Sequence, residues 1–276
     1  MRQSGLITAS ALAISLSLLL APAYALENKS DKKDKENSEP PWSQAAAYWG
    51  LEEMEASRKP MQKGNGHTKI GYVLADRFEV RFGDAEDSFV WDGQGWYGGD
   101  LNKLWIKTEG EYSFESDKVE DAEIQALWSR AIAPYFDFQA GVRQDFEPNG
   151  LTHAVVAIQG LAPYWFEVDA SAFLSSDGDL TARFAAEYDF LLTQRLILQP
   201  RTEINFSGSD IPALDKASGI TNVDAGLRLR YEFSREFAPY LGVAWTSSVG
   251  GTADIVRANG GNTEQTSFVV GLRMWY

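Results

Sequence analysis

The regular alternation of apolar and other residues in the final segment, Thr266 to Tyr276, is the strongest constraint on the fold of this chain. Counting back in twos from the last residue gives an apolar or aromatic set: Tyr276, Met274, Leu272, Val270 and Phe268. The residues between them form a mixed, partly polar set. A two-residue period with one apolar face, ending on an aromatic residue, is typical of the last strand of a bacterial outer-membrane β-barrel. The last strand of a soluble β-sandwich is the alternative.

The same alternation runs through most of residues 68–276 and predicts about twelve strands. We place them at 70–82, 89–97, 102–114, 119–132, 135–146, 152–161, 165–175, 180–190, 195–206, 221–233, 237–247 and 266–276. Short turns alternate with longer or more polar loops, as in barrels with short periplasmic turns and long outer loops. The predicted fold is therefore all-β, a transmembrane antiparallel β-barrel. Its even strand number predicts that both termini are periplasmic.

The first 67 residues have a different character. Residues 1–25 read as a secretory signal peptide, with Arg2, a short apolar run and a small-residue cleavage site at Ala23-Tyr24-Ala25. Residues 26–67 open with a mixed-charge stretch that lacks apolar periodicity, so we predict a disordered periplasmic segment. A short helix is expected within residues 42–61, and Gly64-Asn65-Gly66 would end it.

Composition excludes several classes of function. The chain has no Cys, which rules out disulfides, Cys-ligated zinc and thiol nucleophiles. A net charge of −14 argues against nucleic acid as a partner. After residue 25 no run approaches the roughly 18 apolar residues that a membrane-spanning helix needs. We therefore expect that outer-membrane lipid surrounds the predicted barrel and is its partner in the membrane.

The predicted strands have one apolar and one charged face. In the segment 102–114, Leu104 and Ile106 lie on one side, and Lys107 and Glu109 lie on the other. The apolar side should face lipid, because an Arg or Lys on the lipid face at mid-membrane costs about 2–4 kcal/mol. The charged residues should then line the lumen, either as ion pairs that hold the barrel rigid or as a polar path for ions. The predicted lumen residues are Arg77, Glu79, Asp92, Lys107, Glu109, Glu111, Glu123, Arg143, Glu167, Asp169, Arg183, Glu187, Arg228 and Arg230.

Several long blocks resemble one known family, the copper resistance protein B family of Gram-negative outer membranes. They are ADRFEVRF, VWDGQGWYGGDLNKLWIKTEGE, VEDAEIQALWSRAIAPYFDFQAGVRQD, GLAPYWFEVDASAF, AEYDFLLTQRLILQP and GLRLRYEFSREFAPYLGV. The resemblance covers residues 70–276. It implies an outer-membrane barrel in copper tolerance that binds copper or passes it across the membrane, with periplasmic copper-handling partners. The resemblance transfers no enzymatic reaction and leaves the oxidation state of the copper open.

The N-terminal segment departs from that family, whose members often carry Met- and His-rich repeats there. Thioether sulfur and imidazole are good copper ligands, but residues 26–68 hold only Met54, Met61 and His67. These three residues and His153 are the candidate metal ligands, although each has an ordinary structural interpretation. Met274 falls on the predicted lipid face. Lumen carboxylates would be less selective copper ligands.

Other functions share parts of this pattern. A passive porin and a purely structural barrel would show the same signal peptide, alternation and polar lumen. A Ser-His-acid hydrolase needs a His beside its nucleophile. Only His67 and His153 are available, and neither stands near a recognisable nucleophile motif. A paired-carboxylate mechanism stays an alternative, because acidic lumen residues are abundant. We expect a protein that is not an enzyme.

Overall fold

The computed structural model describes residues 44–65, 68–84 and 87–276. It divides the chain into two compact units, Met1–Gly64 and Asn65–Tyr276. The predicted signal peptide, residues 26–43 of the charged segment, and His67 lie outside the described residues.

The described part of the first unit contains two helices in the region where a short helix is expected. Helix α1 (Ala46–Trp49) and helix α2 (Leu51–Asn65) are separated by Gly50, whose φ of 81° is accessible to glycine at little cost. Acidic residues in the first turn of α2 and Lys63 in its last turn suit the helix dipole. Within the described residues, no helix is both long and apolar enough to cross a membrane.

The second unit is a closed antiparallel β-barrel. Its strands are β1 (Ile70–Gly83), β2 (Ser88–Gly98), β3 (Asn102–Ser113), β4 (Lys118–Ala133), β5 (Phe136–Glu147), β6 (Thr152–Ala162), β7 (Phe166–Ser175), β8 (Leu180–Glu187), β9 (Phe190–Leu191), β10 (Leu196–Ser207), β11 (Gly219–Tyr231), β12 (Phe237–Ser248) and β13 (Glu264–Trp275). Each strand pairs with its neighbour, and the pairing of β1 with β13 closes the ring. Twelve strands form the barrel and β9 is a short addition beside β10. The predicted fold class is confirmed.

The strand predicted at 180–190 is interrupted, and that part of the prediction was wrong. Strand β8 ends at Glu187, and the chain resumes pairing only as β9. The interruption lies opposite Pro200 of β10, whose carbonyl accepts a hydrogen bond from the Tyr188 amide at 3.1 Å. Because proline has no amide hydrogen, it cannot return a ladder hydrogen bond.

The two faces of the wall follow the predicted alternation. Leu104, Ile106 and Leu227 are exposed on the outside, as required of residues that meet lipid. Arg228 and Arg230 on the opposite face of β11 are buried inside the barrel. Leu227 therefore lies on the exposed face of β11, and Arg228 and Arg230 lie on its buried face.

The two ends of the barrel differ in their connections. At the turn end, where β1 begins and β13 stops, the connections are 99–101, 134–135, 163–165, 188–195 and 232–236. At the loop end, the last two connections are the long ones, 208–218 and 249–263. The second contains helix α3 (Gly250–Ala258), where the sequence pattern predicts a loop. Its Thr252 and Ala253 are buried, and Thr252 Oγ1 accepts a hydrogen bond from the Ala217 amide at 3.0 Å.

Candidate functional site: the charged lumen

A row of carboxylates crosses four consecutive strands at one level of the lumen. In the strand register, Asp92 of β2 lies opposite Glu109 of β3, Glu109 lies opposite Glu123 of β4, and Glu123 lies opposite Asp145 of β5. Like charges directly opposite each other on neighbouring strands are destabilising. This wall therefore requires cations from elsewhere in the barrel.

Arginines supply that compensation. At the near end of the row, Arg77 of β1 contacts Asp92 at 3.0 Å and Glu109 at 2.5 Å. At the far end, Arg143 Nη1 lies 2.7 Å from Glu123 Oε2. Charge-assisted hydrogen bonds of this kind are stronger than neutral ones.

Arg183 reaches the carboxylate row from another part of the wall. It lies on β8, whose neighbours are β7 and β10, whereas Glu109 and Glu123 lie on β3 and β4. Its Nη1 donates to Glu109 Oε2 at 2.7 Å and its Nη2 donates to Glu123 Oε2 at 3.1 Å. Its Nε lies 3.5 Å from Glu203 Oε1. One guanidinium therefore crosses the lumen and is shared by three carboxylates.

Arg201 of β10 makes a second crossing. Its Nη1 lies 3.4 Å from Asp92 Oδ2, and its Nη2 lies 3.0 Å from Glu203 Oε2. We call this set of crossing and paired side chains the charged partition. Its members are Arg77, Asp92, Glu109, Glu123, Arg183, Arg201 and Glu203.

The charged partition lies between two cavities. The loop-end cavity has a volume of about 400 Å³ and is lined by residues such as Pro148 and Leu214. The turn-end cavity has a volume of about 520 Å³ and is lined by residues such as Pro134 and Tyr135. Both cavities are bordered by the same residues at their common boundary: Glu109, Phe173, Arg183, Arg201 and Glu203.

The two cavities differ in charge. The loop-end cavity has as many carboxylates as Lys and Arg side chains: Glu109, Glu111, Asp121, Asp145, Asp179, Glu203 and Asp224 against Arg77, Arg81, Arg143, Arg183, Arg201, Lys216 and Arg228. Carboxylates dominate the turn-end cavity: Asp76, Asp92, Asp100, Glu109, Glu123, Asp137, Glu167, Asp169, Glu187 and Glu203 against Lys103, Lys107, Arg183 and Arg201. A water-filled cavity with such an excess of acids attracts cations.

Glu79 is the centre of a separate, dry ion pair on the wall. Its side chain is fully buried and accepts hydrogen bonds from Arg228 Nε at 2.9 Å and Arg228 Nη2 at 2.8 Å. The Tyr240 hydroxyl donates to it at 2.9 Å, and Arg81 Nε donates at 3.1 Å. A buried carboxylate needs this degree of compensation, since an unpaired charge in the interior is very costly.

Asp76 is a lumen residue that is not among those predicted from the alternation. The pairing of β1 with β2 skips a residue between Ala75 and Arg77. This bulge turns both Asp76 and Arg77 towards the lumen, although neighbours on a regular strand face opposite sides. Asp76 Oδ1 accepts a hydrogen bond from Arg273 Nε at 2.6 Å. The sequence signal for it is the shift in the phase of alternation within ADRFEV.

The 208–218 connection forms part of the loop-end mouth. Ile211 is buried, and Leu214 and Lys216 line the cavity. The Ile211 amide donates to the Lys216 carbonyl at 2.7 Å, and Asn149 Nδ2 donates to the Ala213 carbonyl at 3.3 Å. The polar sequence of this stretch predicts only a loop and carries no signal for its inward fold.

The predicted lumen residues all lie on the inner side of the barrel. Besides the members of the charged partition and Glu79, Lys107 contacts Asp169 at 2.7 Å and Arg230 contacts Asp189 at 2.7 Å. The remaining ones are distributed between the cavities: Arg143, Arg228 and Glu111 line the loop-end cavity, and Glu167 and Glu187 line the turn-end cavity.

The candidate metal ligands are not gathered into one site. Met54 and Met61 lie on α2, where Met61 is exposed. His153 is buried in the barrel, and its Nε2 lies 3.0 Å from Asp145 Oδ2. Within the described residues, no group of three or more His, Cys, Asp or Glu side chains is arranged to hold a metal ion.

A comparison with protein families accounts for nearly the whole barrel. The family described as "Copper resistance protein B precursor (CopB)" matches residues 69–276. The chain belongs to this family. Membership supports a role in copper resistance, as the resemblance in the sequence implied, and with the barrel it supports a location in the outer membrane.

Two relatives show how close the match is. The chain is 44% identical over 205 residues to "Copper resistance protein B" of Escherichia coli, covering 74% of this chain and 69% of the relative. It is 43% identical over 206 residues to "Copper resistance protein B homolog" of Pseudomonas syringae pv. tomato, with the same coverage.

Solved structures with similar folds include two porins. The NanC porin has a TM-score of 0.48 at 12% identity, over 74% of this chain and 99% of the porin. The KdgM porin in complex with disordered oligogalacturonate has a TM-score of 0.45 at 13% identity, over 75% of this chain and 98% of the porin.

Proposed function

We propose that this barrel passes copper ions through its lumen across the outer membrane and thereby takes part in copper resistance. The observation that carries the proposal is the excess of carboxylates around the turn-end cavity. The row Asp92, Glu109 and Glu123 of the charged partition lines this cavity at its inner end, where arginines compensate it. A copper ion that enters the lumen from the turn end would therefore be attracted at every level as far as the partition.

Carboxylates suit transit better than retention. Oxygen ligands hold copper less selectively than sulfur or imidazole. Conduction requires binding that is favourable enough for entry and weak enough for release. The carboxylates of the lumen are distributed over many strands, so an ion can move from one to the next. We assign no enzymatic reaction to the barrel.

We further propose that the turn end faces the periplasm. Barrels of this class have short turns on the periplasmic side. The first strand, β1, begins at the turn end and the last strand, β13, stops there. The first unit would then also be periplasmic. There it would meet the periplasmic copper-handling proteins that we propose as partners, which would deliver copper to the turn-end cavity or receive it.

A flux assay tests passage. The full chain would be reconstituted into liposomes that enclose a copper-sensitive dye, and Cu(I) and Cu(II) would be added separately. We expect faster entry than into empty liposomes, and slower entry for the double variant Glu167→Gln/Glu187→Gln. Asp254→Asn is the matched control, since Asp254 lies on α3 with its side chain 79% exposed. Copper entry equal to that into empty liposomes would exclude passage.

Copper retention is the second candidate. Metal analysis after dialysis against Cu(I) or Cu(II) would detect it, in wild type and in a variant with Met54→Leu, Met61→Leu and His67→Gln. Loss of stoichiometric copper in that variant would place binding at the N-terminal ligands. Equal entry of copper and of unrelated small solutes would identify a passive porin. If the protein neither passes copper nor retains it, a purely structural barrel is the interpretation that remains.

A further inference from the structure

The charged partition lies at the boundary between the two cavities. Both cavities are bordered by Glu109, Arg183, Arg201 and Glu203. The surrounding wall is a closed antiparallel sheet. A solute that moves from one cavity to the other must therefore pass these side chains.

We propose that Arg183 is the residue that closes the lumen and determines which ions cross it. Arg183 is distinguished by its contacts, because its guanidinium joins carboxylates on β3, β4 and β10. The other arginine that crosses the lumen, Arg201, joins carboxylates on β2 and β10. The inference concerns monovalent ions as well as copper and does not rest on the proposed copper function.

The guanidinium of Arg183 is close to three carboxylates but does not make a good hydrogen bond to each of them. Two carboxylates receive good hydrogen bonds, whereas Nε is buried and makes no hydrogen bond to the third, Glu203. The aromatic ring of Phe173 supports the guanidinium from one side, with its centroid 5.7 Å from Arg183 Cζ. Rings of charged side chains set ion selectivity in pores. Removing Arg183 would take one positive charge away from the boundary of the cavities, where Glu109 would keep only Arg77, Glu123 only Arg143 and Glu203 only Arg201 as a partner.

The partition differs from the ion pair at Glu79 in ways that matter for ion passage. The Glu79 and Arg228 side chains are 0% and 6% exposed, so that pair is a dry part of the wall. The Arg183 and Glu109 side chains are 19% and 23% exposed, so water reaches their contact. The attraction between two opposite charges is weaker where water reaches them than in a dry interior, because water raises the effective dielectric constant. The backbone of β8 pairs with β7 and β10 regardless of the Arg183 side chain.

The absence of Cys from the chain allows a direct test. The variant Arg183→Cys would carry the only thiol. Single-channel conductance and reversal potential in a potassium chloride gradient would be measured in planar bilayers. We expect wild type to conduct weakly. We expect the variant to conduct more and to select cations more strongly, because the partition loses a positive charge while its carboxylates remain.

Chemical modification then separates charge from size. A methanethiosulfonate reagent with a quaternary ammonium group returns a positive charge to position 183, and we expect it to lower both conductance and cation selectivity. A reagent of similar bulk with a sulfonate group should leave the selectivity for cations high. Arg257→Cys is the control, since Arg257 is an exposed residue of α3. Neither reagent should change the conductance of the Arg257→Cys barrel.

Glu109→Gln provides a second, opposite test, which remains informative if Arg183→Cys fails to fold. It leaves Arg183 with less negative charge to balance, so the reversal potential should shift towards anions. Unchanged conductance and selectivity in a folded Arg183→Cys barrel would overturn the proposal. A shift of Glu109→Gln towards cations would also overturn it. The proposal would also be overturned if the wild-type barrel had as high a conductance as the Arg183→Cys barrel.

Discussion

The ring of Tyr240 lies across Gly271 of the neighbouring strand and reaches Glu79 on the strand beyond. Gly271 is the register partner of Tyr240 on one side and of Glu79 on the other. A Cβ atom at position 271 would come within 2.6 Å of the tyrosine Cζ and 2.7 Å of the Glu79 Cβ. Only glycine therefore allows the Tyr240 hydroxyl to donate to Glu79, and this contact joins β12 to β1 over β13.

The substitution Gly271→Ala should consequently destabilise the barrel by about 1–3 kcal/mol, which is typical of overpacking. The added methyl group displaces the ring and removes its hydrogen bond to Glu79. Denaturant unfolding in detergent or lipid would measure the loss. Gly93→Ala is the control, because a Cβ there meets only ordinary contacts at 3.6 Å and 3.7 Å. An equal decrease in the free energy of unfolding for Gly271→Ala and Gly93→Ala would contradict this account of Gly271.

Removal of the Arg228 side chain should have a larger effect. The substitution Arg228→Ala leaves the buried carboxylate of Glu79 without its bidentate partner, and breaking such a pair costs about 3–5 kcal/mol. Arg257→Ala removes an exposed ion pair with Asp254 on α3 and should cost less than about 1 kcal/mol. The same unfolding measurement compares them. Similar stabilities for the two variants would show that the Glu79 pair does not stabilise the wall.

Alternation in the sequence predicted the barrel wall well because each strand decides its own faces. Leu104 and Ile106 must face lipid, and Lys107 and Glu109 must face the lumen, because the alternation within this strand alone determines its two faces. The departures depend on neighbouring strands or on backbone irregularities. Strand β8 stops because Pro200 stands opposite on β10, and no pattern within 180–190 reveals that.

The pairing of charges could not be predicted in the same way. Arg183 and Glu109 were both expected in the lumen, but they are separated by 74 residues in the chain. Their contact depends on barrel size, register and the level at which each side chain lies. Asp76 was missed because a bulge shifts the alternation at that point. The inward fold of the loop around Ile211 depends on contacts with other connections, such as that from Asn149.

The barrel should fold without its charged N-terminal segment. Deletion of residues 26–66 removes a segment without strand alternation, and the chain up to Gly64 forms a unit of its own. We expect the shortened protein to keep the heat-modifiable migration on gels that marks a folded barrel, with an unfolding midpoint close to that of wild type. Loss of that migration would show that the segment is needed for folding.

Docking of the 208–218 loop should depend on pH through Lys216. Burial lowers the pKa of this lysine below its ordinary value of 10.5, and the nearby cations Arg143 and Arg183 lower it further, against the opposing effect of Asp121 and Asp145. A lysine that lifts away with the loop regains the ordinary pKa and so binds protons more readily. Docking therefore gains stability as the pH rises from the lowered pKa towards 10.5, and it is least stable and independent of pH below that window.

Competitive amine labelling followed by mass spectrometry would measure this pKa in the folded barrel and in the denatured chain. We expect Lys216 to titrate lower in the folded barrel. Asn149→Ala removes the hydrogen bond to the Ala213 carbonyl that tethers the loop, and it should move the Lys216 pKa back towards 10.5. The same Lys216 pKa in folded and denatured protein would mean that the loop does not bury this amine, and that its docking does not depend on pH through Lys216.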